Sequence, residues 1–158
     1  TGLGNQLAGF IATYGGAPAT VEFPVRIKPP TSIAVPLRYE MVLSAEAKPE
    51  TRYATLAHEL AHLYCGHLGT PDEAWWPDRR GRAKEVEEFE AEAVSYLVCR
   101  RLGIDTPADR YLSTYTGKHN EVPCISLDAV FRVAGLIESM GRRRLPARKA
   151  GRRRGDGE

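Results

Sequence analysis

Apolar residues recur along this chain with two different periods, and the changes of period mark its elements. From residue 3 to residue 14, Leu3, Leu7, Phe10, Ile11 and Tyr14 fall on one helical face, and Gly15-Gly16 would end that helix. "TVEFPVRI", residues 20–27, predicts a short strand, followed by a turn in "KPPTS". In "AVPLRYEMVLS", residues 34–44, the period is two. Val35, Leu37, Tyr39, Met41 and Leu43 lie on one side, Arg38, Glu40 and Ser44 on the other. Pro36 makes this an edge strand, because proline cannot donate to a ladder.

The period then lengthens. Residues 49–65 predict a helix with Pro49 in its first turn, Glu50 at its positive end and Gly66 as its stop. Tyr53, Leu56, Ala57, Leu60 and Tyr64 form its apolar stripe. Residues 68–82 are loop by composition, and a second helix covers roughly 83–102 before Gly103. A shorter segment follows around "DRYLSTY", then the loop "TGKHNEVPC" and a last helix over 126–140. The stretch "GRRRLPARKAGRRRGDGE" has no apolar pattern to bury and is expected to be disordered. The chain therefore divides into one domain, residues 1–141, and a basic tail, residues 142–158.

Composition changes this picture only at the margins. A chain of 158 residues with 42% hydrophobic content can bury its own core. No apolar run approaches bilayer length, so no membrane partner is expected. The three cysteines, Cys65, Cys99 and Cys124, are an odd number without paired spacing, which fits reduced thiols and a cytoplasmic setting. The net charge of +2 conceals an asymmetry. Eight of the 22 basic residues but only two of the 20 acidic ones lie in 142–158, so the body is mildly acidic. An Arg-rich tail could make weak, non-specific contact with nucleic acid, although no aromatic residue interleaves the arginines for base stacking.

The candidate chemistry lies in "TLAHELAHLYCGH", residues 55–67. His58 and His62 are four apart, so on a helix they sit one above the other and can share one Zn²⁺ ion. Glu59 lies about 100° round the helix, suited to act as general base on a water rather than as a ligand. A hydrolytic zinc needs a third protein ligand and one open position. The spacing HExxHxxGxxH would put a third histidine at residue 68, which is Leu68, and His67 misses by one. The acidic helix "EVEEFEAEAVSYLVCRRLGI" is the better source, offering Glu85, Glu87, Glu88, Glu90 and Glu92. Glu90 and Glu92 lie about 200° apart on a helical wheel, so one at most can face the ion. Glu90 shares the stripe of Val86, Ala93, Val94 and Leu97. Glu92 shares a side with Glu88, Phe89, Ser95, Tyr96 and Cys99. Periodicity does not choose between them.

These two motifs, "TLAHELAHLYCGH" and "AEAVSYLVCRRLGI", with weaker support from "RYLSTY" and the closing helix, resemble the gluzincin-type ImmA/IrrE metallo-endopeptidases and the peptidase domain of ArdC-type antirestriction proteins. The resemblance spans roughly residues 34–140. It implies an α+β, zincin-like fold: a small antiparallel sheet packed on the HExxH helix and a second, ligand-bearing helix, with a mostly helical C-terminal half. It further implies one Zn²⁺ per chain held by His58, His62 and Glu92, with Glu90 as the alternative in a register shifted by two, and Glu59 as the catalytic residue. The edge strand 34–44 would border the cleft and pair with an extended protein or peptide substrate. Relatives that cut DNA-bound repressors make a transcriptional regulator the implied target. Relatives also carry a single-stranded-DNA-binding domain or a helix-turn-helix unit, neither of which is found in these residues, so the substrate stays open. The alternative reading is a non-catalytic, zinc-containing module that binds protein or DNA in antirestriction.

Around this centre, Cys65 reads as a small apolar filler rather than a fourth ligand that would close the site. His67 is a candidate for a substrate or supporting contact. Trp75-Trp76 would line the cleft or cover the core. His119, Tyr115 and Tyr111 are candidates to fold back over the ion as oxyanion donors.

Overall fold

A computed structural model describes residues 8–26, 28–106, 112–113, 122–143 and 148. Among the described residues, the strands β1 (Gly9–Thr13), β2 (Thr20–Arg26), β3 (Thr31–Pro36) and β4 (Tyr39–Leu43) precede the helices α1 (Pro49–Tyr64), α2 (Lys84–Arg101) and α3 (Leu127–Arg142). β1 pairs antiparallel with β4, Ile11 opposite Met41, and β2 pairs antiparallel with β3, Val21 opposite Val35. The bonds Tyr14 N to Arg38 O and Leu37 N to Ala19 O join the two pairs into one long ribbon. The β1–β4 half lies across α1, whereas no described helix packs on β2 or β3. Among the described residues the fold is α+β, with small antiparallel sheets packed beside helices, the class that was expected.

The helices meet through small residues. Ala57 and Ala61 of α1, with Cys65 at its C-cap, face Ala91, Val94 and Val98 of α2, and Val130, Val133, Ala134 and Ile137 of α3 complete the core. Alanines that are almost fully covered let the α1 and α2 backbones approach closely. Polar side chains flanking this seam are thereby brought within reach of each other. α3 is set by its N-cap, where the Ser126 hydroxyl accepts from Ala129 N.

Two expectations need correction. Residues 9–13 form β1, not the end of a helix. Leu3 and Leu7 lie outside the described residues. Phe10 and Ile11 point to opposite sides of a strand, with Phe10 half exposed and Ile11 half buried. Gly9 suits the strand, since a Cβ there would meet Val42 O at 2.5 Å and Leu43 Cδ2 at 2.9 Å. The single strand expected over 34–44 is also two, β3 and β4, separated by Leu37 and Arg38. The "DRYLSTY" segment lies outside the described residues apart from Leu112 and Ser113.

Candidate metal centre

α1 carries the histidines on a buried face. His58 Nε2 and His62 Nε2 lie 3.1 Å apart. The carboxylate beside both is Glu88 of α2, with Oε2 3.5 Å from His58 Nε2 and Oε1 3.7 Å from His62 Nε2. These three side chains could hold a metal ion. Lys84, one turn earlier on α2, reaches Glu88 Oε1 at 2.6 Å from the solvent side.

The two carboxylates singled out from the sequence, Glu92 and Glu90, make other contacts in this structure. Glu92 Oε2 bonds to His58 Nδ1 at 2.9 Å, on the far side of the ring from the Nε2 pair. Glu90 is fully buried on another face of α2, where Arg79 donates to both its oxygens at 2.7 Å and Ser126 N donates to Oε1 at 2.8 Å. The helical wheel explains the difference. Glu88 and Glu92 are one turn apart on one side of α2, as His58 and His62 are on α1, so the two pairs face each other. Glu88 meets the Nε2 atoms and Glu92 supports an Nδ1. The signal was present as an i, i+4 pair of glutamates, but it was hidden among five acids in eight residues.

The donor set fits an ion. Glu92, an acceptor, takes the Nδ1–H of His58, which leaves the Nε2 lone pair of the neutral ring bare. Bonds of about 2.0–2.1 Å meeting at a tetrahedral zinc would separate two ligand nitrogens by about 3.3 Å. The observed 3.1 Å is close to that spacing. Burial opposes charge on His58, but the hydrogen bonds it donates to Glu88 and Glu92 outweigh it and raise its pKa to about 9. Burial and the neighbouring His58 charge push His62 down to about 3. Glu88 is held at about 2: burial acts to raise it, but its bonds to His58 and Lys84 prevail.

Glu59 lies beside this group. Burial raises its pKa, and His58 and Glu88 are among the charges that act on it. Its Oε2 accepts from Ile11 N at 3.0 Å. In the β1–β4 ladder Ser44 N bonds Ala8 O and Tyr14 N bonds Arg38 O, so Ile11 points its N–H away from β4. The strand that borders the centre is therefore β1, not the 34–44 segment expected from sequence.

His67 is buried and does make a supporting contact: its Nδ1 lies 3.0 Å from His62 Nδ1, and its Nε2 3.0 Å from Glu90 Oε2. Gly66, at φ +86, makes the turn that aims His67 back, in a left-handed conformation that glycine adopts without strain. Cys65 packs in the core, and burial pushes its thiol up to about 12. Trp76 is buried, donates from Nε1 to Gly69 O and stacks edge-on against Tyr64, so it covers the end of α1. Arg148 of the basic tail lies over the Tyr64 and Trp76 rings. His119, Tyr115 and Tyr111 lie outside the described residues. No disulfide forms among Cys65, Cys99 and Cys124, and no described helix is long and apolar enough to cross a membrane.

Residues 23–100 match the Peptidase_M78 family model, described as an IrrE N-terminal-like domain. The matched span runs from β2 through most of α2 and contains His58, Glu59 and His62 together with Glu88, Glu90 and Glu92. It supports the ImmA/IrrE family and a peptidase-type enzyme. No curated protein and no solved structure matches the chain.

Proposed function

We propose that this protein is a zinc-dependent endopeptidase in which His58 Nε2, His62 Nε2 and Glu88 hold one Zn²⁺, Glu92 orients His58, and Glu59 is the general base. The observation that carries this reading is the 3.1 Å approach of two Nε2 atoms next to a carboxylate, with Glu59 alongside. A zinc ion there supplies Lewis-acid charge to a water and to the scissile carbonyl. Glu59 takes a proton from the attacking water and returns it to the leaving amine nitrogen. Burial raises its pKa above the usual carboxylate value, the direction that favours taking a proton and handing it on.

The substrate class is a protein segment in extended form. The Ile11 N–H is held by Glu59, while the Ile11 carbonyl and the backbone groups of Gly9 and Thr13 face away from β4 on the same side, and an extended chain can add to such an edge. A DNA-bound regulator is the target class we favour, and the basic tail would contact nucleic acid weakly beside it. The test compares zinc-loaded wild type with Glu59→Gln on a proteome or on candidate regulators, reading new N-termini by mass spectrometry. New termini in the wild-type sample alone are expected. Identical termini in both samples, with zinc retained in both, would overturn the peptidase reading in favour of a binding module.

A further inference from the structure

Cys65, His67 and Glu90 form a second buried group of metal-ligand types on the opposite side of His62. Their bonding argues against a second ion. Arg79 donates Nη1 and Nη2 to the two oxygens of Glu90 and gives a further Nη1 bond to Cys65 O. A fixed guanidinium therefore occupies the place where a cation would sit. Both ring nitrogens of His67 are engaged as well, one by His62 and one by Glu90.

We infer that Arg79, Glu90 and His67 form a buried relay that fixes the tautomer of His62 and so presents its Nε2 lone pair to the metal. The protons can be assigned from one end. The Glu90 carboxylate only accepts, so His67 Nε2 carries the hydrogen. The neutral ring then has its lone pair at Nδ1, and the facing His62 Nδ1 must be the donor across their 3.0 Å contact. His62 Nε2 is left bare, turned toward His58 Nε2 and Glu88. Arg79 offsets the charge of Glu90 and fixes its two oxygens, so that one of them is held toward His67 Nε2. Glu92 does the same for His58 in one step. His67, Glu90 and Arg79 are thus positioning residues, acting on the ion only through His62, and this inference rests on the metal reading above.

Two variants separate wiring from packing. In His67→Asn the side-chain oxygen takes the place of Nδ1, keeping an acceptor for His62 and losing Glu90. In His67→Gln the amide takes the place of Nε2, keeping Glu90 and losing His62. Zinc affinity of the full chain is measured by chelator competition, stability by urea unfolding of the metal-free protein, and the His62 tautomer by ¹⁵N shifts of labelled histidine. The expected result is a loss of about 10–100-fold in affinity for His67→Gln, the scale of lost support to a ligand imidazole. His67→Asn retains most of the affinity and the Nδ1–H tautomer. Equal affinity in both variants and the parent would overturn the relay, as would losses that merely follow stability. Should the parent itself bind no zinc, the metal reading fails, and the tautomer decides alone: Nδ1–H on His62 supports the relay and Nε2–H refutes it.

Discussion

Replacing Arg79 by methionine keeps the length of the side chain and removes its charge from beside Glu90. Glu90 is 0% exposed and accepts from Arg79 twice at 2.7 Å, from Ser126 N at 2.8 Å and from His67 Nε2 at 3.0 Å. The variant would leave a buried carboxylate with two neutral donors, and orphaning one partner of a buried pair costs about 3–5 kcal/mol. The titration of Glu90 gives an independent figure. Burial acts to raise its pKa, but His67, Arg79 and Ser126 N hold it at about 2 against a usual 4.5. That depression, at about 1.4 kcal/mol per unit, corresponds to about 3 kcal/mol. Because the folded value is the lower one, this stability is full above pH 4.5 and is lost as pH falls through 2. The deficit of Arg79→Met should therefore be greatest at neutral pH and shrink below pH 4.5. Urea unfolding of metal-free protein at pH 7 and in acid measures it, and adding Glu90→Gln to Arg79→Met should restore most of the loss. A deficit below about 1 kcal/mol at pH 7, or one unchanged by acid, would refute the reasoning, since such a cost is that of a solvated pair.

Removing Glu88 should weaken zinc binding more than removing Glu92. A four-ligand site binds with roughly 10–16 kcal/mol, so Glu88→Ala should cost about 3–4 kcal/mol, read as chelator-competition affinity. Glu92→Ala should cost about 10–100-fold, and the reverse ranking would assign the ligand to Glu92. Apparent zinc affinity should rise about tenfold per pH unit and level off near pH 9, because the ion displaces a proton whose pKa on His58 is about 9. Calorimetry in two buffers should show that proton released. Gly66→Ala should destabilise by roughly 1–3 kcal/mol from its positive φ alone. The new Cβ would also run into Pro77 O, and thermal unfolding measures the sum.

The helices were legible because their periods are long and their ends are marked. Pro49 and Glu50 open α1, Gly66 closes it, and Ser126 caps α3. β1 was not, since five residues in which Phe10 and Ile11 adjoin carry too little alternation to outweigh the helical spacing of Leu7, Phe10, Ile11 and Tyr14. Its identity comes from pairing with β4, thirty residues away in the chain and invisible to a local window. At the centre, the approach of His58 to His62 was readable from their spacing along one helical face. The carboxylates were harder, because Glu88, Glu90 and Glu92 differ only in which neighbour each meets across the seam, and helix packing decides that. His67 fell one residue outside the expected ligand pattern, and its supporting contact depends on the turn at Gly66.

The bond from Ile11 N to Glu59 gives one side chain two duties. Truncating residue 59 to alanine would remove the proposed general base and also strip the amide of its acceptor, leaving the first strand free to shift or to dock with a neighbouring molecule. Glutamine retains an oxygen for that amide while giving up basicity. A dead alanine variant would thus confound lost chemistry with a displaced ribbon, whereas the amide variant isolates the chemistry.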